Sequence, residues 1–182
     1  MRPVALLRVV MPQEHVQELK LLIRSRYAII AIETGDEDRL QTLLQHLGDQ
    51  VDLPVFTWSH SKGLIRDGND QAAYNSRQPT TALAHVRSSG FPAIYQFKAL
   101  YTHLSDPTVI SLLTDLSETF SKADGVIVLT GTGLQVPEAL RAHVAVFRLP
   151  PPRLDEYENL LVHILRDIKK RMDVRINITK SV

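Results

Sequence analysis

Two stretches of the sequence have residue types and spacing that could act on a ligand: Glu33-Thr34-Gly35-Asp36-Glu37-Asp38 and Thr130-Gly131-Thr132-Gly133. The first offers carboxylates for a metal ion. The second offers small residues whose backbone N–H groups can converge on a phosphate. Glu33 or Asp36 with Thr130 would supply the metal-binding and hydroxyl parts of a magnesium-dependent phosphotransfer centre. Such a centre also needs an acceptor Asp, and the apolar run at 93–97 is followed by Lys98-Ala99, without an acid. A phosphate cradle needs a glycine-rich turn directly after a strand and a lysine for the outer phosphates. The first stretch has one glycine and the acids Glu33, Asp36, Glu37 and Asp38, which repel an anion, and Thr130 to Gly133 has no lysine. The ligand-binding positions the sequence nominates are therefore Thr34, Gly35, Lys62, Thr130 and Gly131, with Glu33 and Asp36 as a weaker metal alternative and no catalytic residue.

Other candidates carry less. Lys62 and Arg66 sit in a polar stretch at 59–79 and are placed to meet an anion or a protein partner. His60 lies between Ser59 and Ser61, but neighbours on an extended chain point to opposite faces, a poor arrangement for a nucleophile and its base. The seven histidines are scattered singly, without the i, i+4 spacing that holds a metal on a helix. Trp58 reads as sheet packing rather than a base-stacking platform, because no second aromatic is interleaved with basic residues there.

These residues must be positioned by alternating strands and helices. Apolar, β-branched runs at 27–32, 54–58, 93–97, 125–129 and 144–147 have the character of strands buried on both faces. Between them, apolar stripes at helical spacing predict helices over 14–26, 38–48, 80–88 and 106–120, a short one at 137–141 and a last one over 154–172. Gly48 is expected to stop the second helix, and Asp106-Pro107 opens the fourth with a cap and a proline in the first turn. Residues 59–79 predict a long loop with room for a hairpin. The pattern implies a three-layer, doubly wound α/β fold with a five-stranded parallel sheet, whose ligands would sit beyond the strand carboxyl ends. Residues 1–13 read as an N-terminal extension, 14–172 as the α/β domain and 173–182 as a tail or shortened linker.

Composition narrows the function classes. Twenty-one basic and twenty acidic residues nearly cancel, giving no electrostatic reason to expect nucleic acid or a membrane surface. Without cysteine there is no disulfide, zinc–thiolate site or thiol nucleophile, and a reducing cytoplasm is the expected location. Arg8 interrupts the only signal-like run, and no apolar stretch approaches the ~20 residues of a membrane span.

The order of short motifs then resembles the N-terminal region of a group of bacterial and chloroplast-encoded AAA ATPases. The motifs are Arg26 to Glu33, Phe56-Thr57-Trp58-Ser59 with Lys62-Gly63-Leu64, Pro79 to Leu83, Tyr95-Gln96-Phe97-Lys98, Asp106 to Val109, Ile127 to Leu129, Val136 to Leu140 and Leu149 to Glu156. The likeness spans residues 14–172. It implies a degenerate P-loop-like domain with strand order 5-1-4-3-2, placed before an AAA module that binds and hydrolyses ATP with magnesium. Family members commonly carry Asp where this sequence has Ala99, which removes the metal acid.

The expected function is a non-catalytic accessory domain, for regulation, assembly or recruitment, with no cofactor of its own. Its expected partners are the AAA module of the same or a neighbouring subunit and other proteins, in an oligomer. A nucleotide-sensing module using Thr34, Gly35, Thr130 and Lys62, and a small phosphotransfer domain using Glu33, Asp36 and Thr130, are the alternatives.

Overall fold

The computed structural model describes residues 13–151 together with Glu158 and Val162. Gln13–Pro151 is one compact unit. In chain order its elements are α1 (Gln13–Arg24), β1 (Ile29–Glu33), α2 (Glu37–Val51), β2 (Val55–Ser59), β3 (Gly63–Arg66), α3 (Pro79–Ser89) and β4 (Ile94–Lys98). A 3-10 turn (Leu100–His103), α4 (Pro107–Phe120), β5 (Val126–Gly131), a second 3-10 turn (Glu138–His143) and β6 (Val144–Arg148) complete it.

The six strands form one sheet in the order β3-β2-β4-β5-β1-β6. Five are parallel, in the order the family resemblance implies, and β3 adds an antiparallel edge through Trp58–Leu64 and Ser59–Gly63. The five-stranded expectation is thus corrected to six: the hairpin allowed for in the 59–79 loop pairs as part of the sheet. Ser76 holds the rest of that loop in place. Its buried hydroxyl donates to Ala73 O (2.7 Å) and accepts from Leu64 N (2.8 Å), while its carbonyl accepts from the Trp58 indole (2.7 Å).

Side-chain alternation sends odd and even strand positions to opposite faces. Ile29, Trp58, Tyr95, Phe97, Ile127 and Leu129 are buried in one cluster with Leu83 and Val86 of α3 and Val109, Leu113 and Phe120 of α4. The opposite face carries Ile30, Ile32 and Val128, all buried, as are Leu19 of α1 and Leu40, Leu43, Leu44 and Leu47 of α2. Burial on this scale contributes about 25 cal/mol per Å² of apolar surface removed from water.

Four local readings change. Gly48 does not end α2, which runs on to Val51 and is capped by Asp52 in the left-handed conformation (φ 59°, ψ 39°). A Cβ at Gly48 would lie 2.6 Å from the Leu53 carbonyl oxygen and 2.9 Å from Val55, so glycine is there for close approach rather than termination. β1 starts at Ile29 instead of 27, with Tyr27 exposed. The short helix at 137–141 is the 3-10 turn Glu138–His143. β6 is an edge strand whose Val146 is 66 % exposed, not a strand covered on both faces. The expected last helix (154–172) and tail and residues 1–12 of the expected N-terminal extension lie outside the described residues, except that Glu158 and Val162 are helical; Gln13 already belongs to α1. No helix among the described residues is long and apolar enough to cross a membrane.

Candidate functional site

β1 and β5 are paired with Ile32 opposite Thr130 and Glu33 opposite Gly131, which brings both nominated stretches to one end of the sheet. The connection from β1 to α2 is only Thr34-Gly35-Asp36. Its backbone is held by Thr34 N donating to Gly131 O (3.2 Å) and by Asp36 N donating to the Thr34 hydroxyl (3.0 Å). Gly35 is exposed beside Thr132. The Tyr101 ring lies so close to Gly131 that a Cβ on Gly131 would run into it.

Three of the four acids around this turn, Glu33, Asp36 and Glu37, have side-chain hydrogen-bond partners. Asp36 caps α2, accepting from Arg39 N at 3.0 Å, so one orphan donor of the helix start is satisfied internally. Glu33 accepts from Arg148 Nε of β6 at 3.0 Å. Arg39 is itself buried and donates to Pro150 O at 2.6 Å, tying α2 to the segment after β6.

Glu37, the first residue of α2, reaches back over the strand ends. Its carboxylate accepts from the Thr130 hydroxyl of β5 at 2.9 and 3.2 Å, and from the Gln96 amide of β4 at 3.3 Å. Thr130 and Gln96 are both 0 % exposed. Gln96 in turn accepts from Thr57 of β2 at 3.4 Å, and Lys98 at the end of β4 donates to Gln41 of α2 at 2.9 Å. A polar chain thus crosses β5, β4 and β2 beneath the N-terminal half of α2. It presents acceptor oxygens at the helix start, where an anion would need donors, and its buried hydroxyl and amide already have partners.

Lys62 lies apart from Thr34, Gly35, Thr130 and Gly131, on the turn between β2 and β3. With Arg66, Arg77 and Lys98 it lines a cleft of about 820 Å³ between that hairpin and α2. Sequence reasoning named Lys62 and Arg66 for an anion or a partner and noted Lys98 only as the residue closing a strand; it had no signal for Arg77, nor for the meeting of all four in one cleft. It also missed the partners of Glu37, which stand 93 and 59 residues away in sequence. His60 and His103, scattered in the sequence, have rings stacked at 5.9 Å. Among the described residues no group of three His, Cys, Asp or Glu is arranged to hold a metal ion.

Comparisons with known proteins agree with this architecture. The family described as SpoVK-like AAA ATPase, N-terminal domain, matches residues 15–149. The chain is 28 % identical over 170 residues to the uncharacterized AAA domain-containing protein ycf46 of Pyropia yezoensis, covering 91 % of this chain and 34 % of that protein. To the protein of the same name in Trieres chinensis it is 24 % identical over 159 residues, covering 86 % of the chain and 32 % of the relative. The chain therefore spans about a third of the length of these relatives. A solved structure of C. elegans PCH-2 superposes with a TM-score of 0.56 at 13 % identity, over 90 % of this chain and 50 % of that one, a likeness of fold alone.

Proposed function

The chain belongs to the family of SpoVK-like AAA ATPase N-terminal domains, and on that premise we propose that it is a non-catalytic accessory domain serving an AAA module. The observation that carries this reading is the Glu37 carboxylate, seated at the start of α2 and bonded to Thr130 and Gln96. In a nucleotide-hydrolysing sheet of this order, the start of that helix offers N–H donors to phosphate, and an acid closing the third parallel strand in chain order, β4 here, holds magnesium. Here the turn is three residues long, its helix cap is used by Asp36, and β4 ends in Lys98 followed by Ala99. These features do not fit ATP or magnesium at the β1–α2 turn, and no step of hydrolysis is assigned to this chain.

ATP and magnesium belong, in this reading, to the AAA module of the longer protein. The domain then acts by packing against that module, in its own or a neighbouring subunit, or by recruiting a protein partner. A cysteine-free chain suits a reducing compartment such as the cytoplasm.

A second reading, a nucleotide-sensing module, rests on Thr34, Gly35, Thr130 and Gly131 meeting at one sheet end. The carboxylate of Glu37 among them weighs against it, and Lys62 is not at that end to offset the charge.

Magnesium alone separates accessory domain from phosphotransfer domain. An ion bound only by the folded state, on Glu33, Asp36 or Glu37, must raise the unfolding temperature. The accessory reading expects no change at millimolar magnesium. A saturable rise that disappears in Glu37→Gln would overturn it.

A further inference from the structure

The cleft beside the β2–β3 hairpin collects four cations from four separate places in the chain. Lys62 comes from the hairpin turn, Arg66 from the end of β3, Arg77 from the residues before α3, and Lys98 from the end of β4. The ion pairs among the described residues are Arg87–Asp115, Arg141–Glu138 and Arg148–Glu33, so none of the four is neutralised by a described carboxylate within salt-bridge distance. Lys98 is half-buried and donates to a neutral acceptor, Gln41 Oε1. Holding like charges around one concavity costs self-repulsion that an anion would offset.

We propose that this cleft binds a phosphate-rich anion, a di- or triphosphate group, read by charge and hydrogen bonds and indifferent to any attached base. Two arginines supply planar forks suited to phosphate oxygens, and two lysines supply point charges. Hydroxyls of Ser59 and Ser61 stand on the same rim, 3.4 Å from each other. Two carboxylates also line the cleft. Asp67 is held by Gln45 at 2.9 Å, and Asp70 is exposed. The volume, about 820 Å³, suits a small ligand. The apolar lining is only Ile65 and Ala72, with no aromatic face to stack a nucleobase. The site stands at the carboxyl ends of β2 and β4, away from the β1–α2 turn. It requires no turnover and is independent of the accessory-domain reading.

The test is calorimetric titration of the purified chain, without metal, with inorganic tripolyphosphate, ATP and GTP. One-to-one binding is expected, with the three affinities within about threefold of each other, because phosphate contacts carry the interaction. Arg77→Ala and Lys98→Ala each weaken it about tenfold, as loss of a charge-assisted hydrogen bond does. Asp70→Asn tightens it, and Arg87→Ala, outside the cleft, leaves it unchanged. Arg77 is exposed, so its variant keeps the fold if Lys98→Ala does not. Four results would each overturn the proposal: no heat at about 1 mM tripolyphosphate, binding unaltered in both cleft variants, a tenfold or greater preference for one nucleotide over tripolyphosphate, or capture of a glutamate-rich peptide with none of tripolyphosphate.

Discussion

Glu37 shows how one side chain can decide the character of a strand end. Its carboxylate satisfies a buried hydroxyl and a buried amide at once. Replacing it with alanine strands both donors, and Glu37→Ala is expected to cost about 1–3 kcal/mol in urea unfolding. Glu37→Gln keeps an acceptor oxygen and is expected to cost less than half of that; equal losses would mean that the charge, not the bonds, matters. The sequence displayed Glu37 as one of several acids in a turn, and the repulsion of anions follows from that alone. Its partners lie in β5 and β4, and only the sheet order brings them together. Tyr95 yields a second prediction. Burial raises its phenol pKa above the ordinary value of about 10, against a smaller opposing effect from the Ser89 side chain. The folded state therefore holds this proton more tightly than the unfolded chain. Its contribution to stability is full below pH ~10 and is lost as pH rises through the higher folded value. In Tyr95→Phe the alkaline fall in stability should be shallower than in the parent, and identical slopes would contradict the assignment.

At the scale of elements, α2 carries a conflict between local propensity and packing that a single substitution can read. Glycine inside a helix costs ~1 kcal/mol relative to alanine, so propensity alone predicts that Gly48→Ala stabilises. The added Cβ would meet the Leu53 carbonyl oxygen and Val55, and backbone cannot move aside as a flexible side chain can. Overpacking of this kind costs about 1–3 kcal/mol, so Gly48→Ala is expected to lower stability on balance. A stabilised variant would show that the turn after α2 relaxes freely. The strands were legible because continuous β-branched runs leave few alternatives, and Asp106-Pro107 marked α4 through its cap. Gly48 was misread because a glycine near the end of an apolar stripe ordinarily signals termination, while its actual reason, close approach of the following turn, is tertiary. β3 was hidden for a related cause. Gly63-Leu64-Ile65-Arg66 is too short to show alternation, and it becomes a strand by pairing with β2 and by the bonds of Ser76.

Across the whole molecule, strand order and the two-sided packing followed from alternation of element types and from the family likeness. The cleft did not. Four basic residues spread from Lys62 to Lys98 share no common motif, and their meeting depends on the antiparallel edge that β3 adds. The molecule thus keeps the frame of a nucleotide-hydrolysing sheet while its own carboxylates occupy the turn after β1. Its cationic cleft lies further along the same strand ends, beside the β2–β3 hairpin. The most direct measurement of this account is magnesium-dependent ATP turnover by the purified chain, followed as phosphate release over several hours. No release above the protein-free blank is expected, in the parent and in Thr130→Val alike. Sustained turnover that Thr130→Val or Glu37→Gln abolishes would contradict the account, because it would place a working phosphate site at the β1–α2 turn.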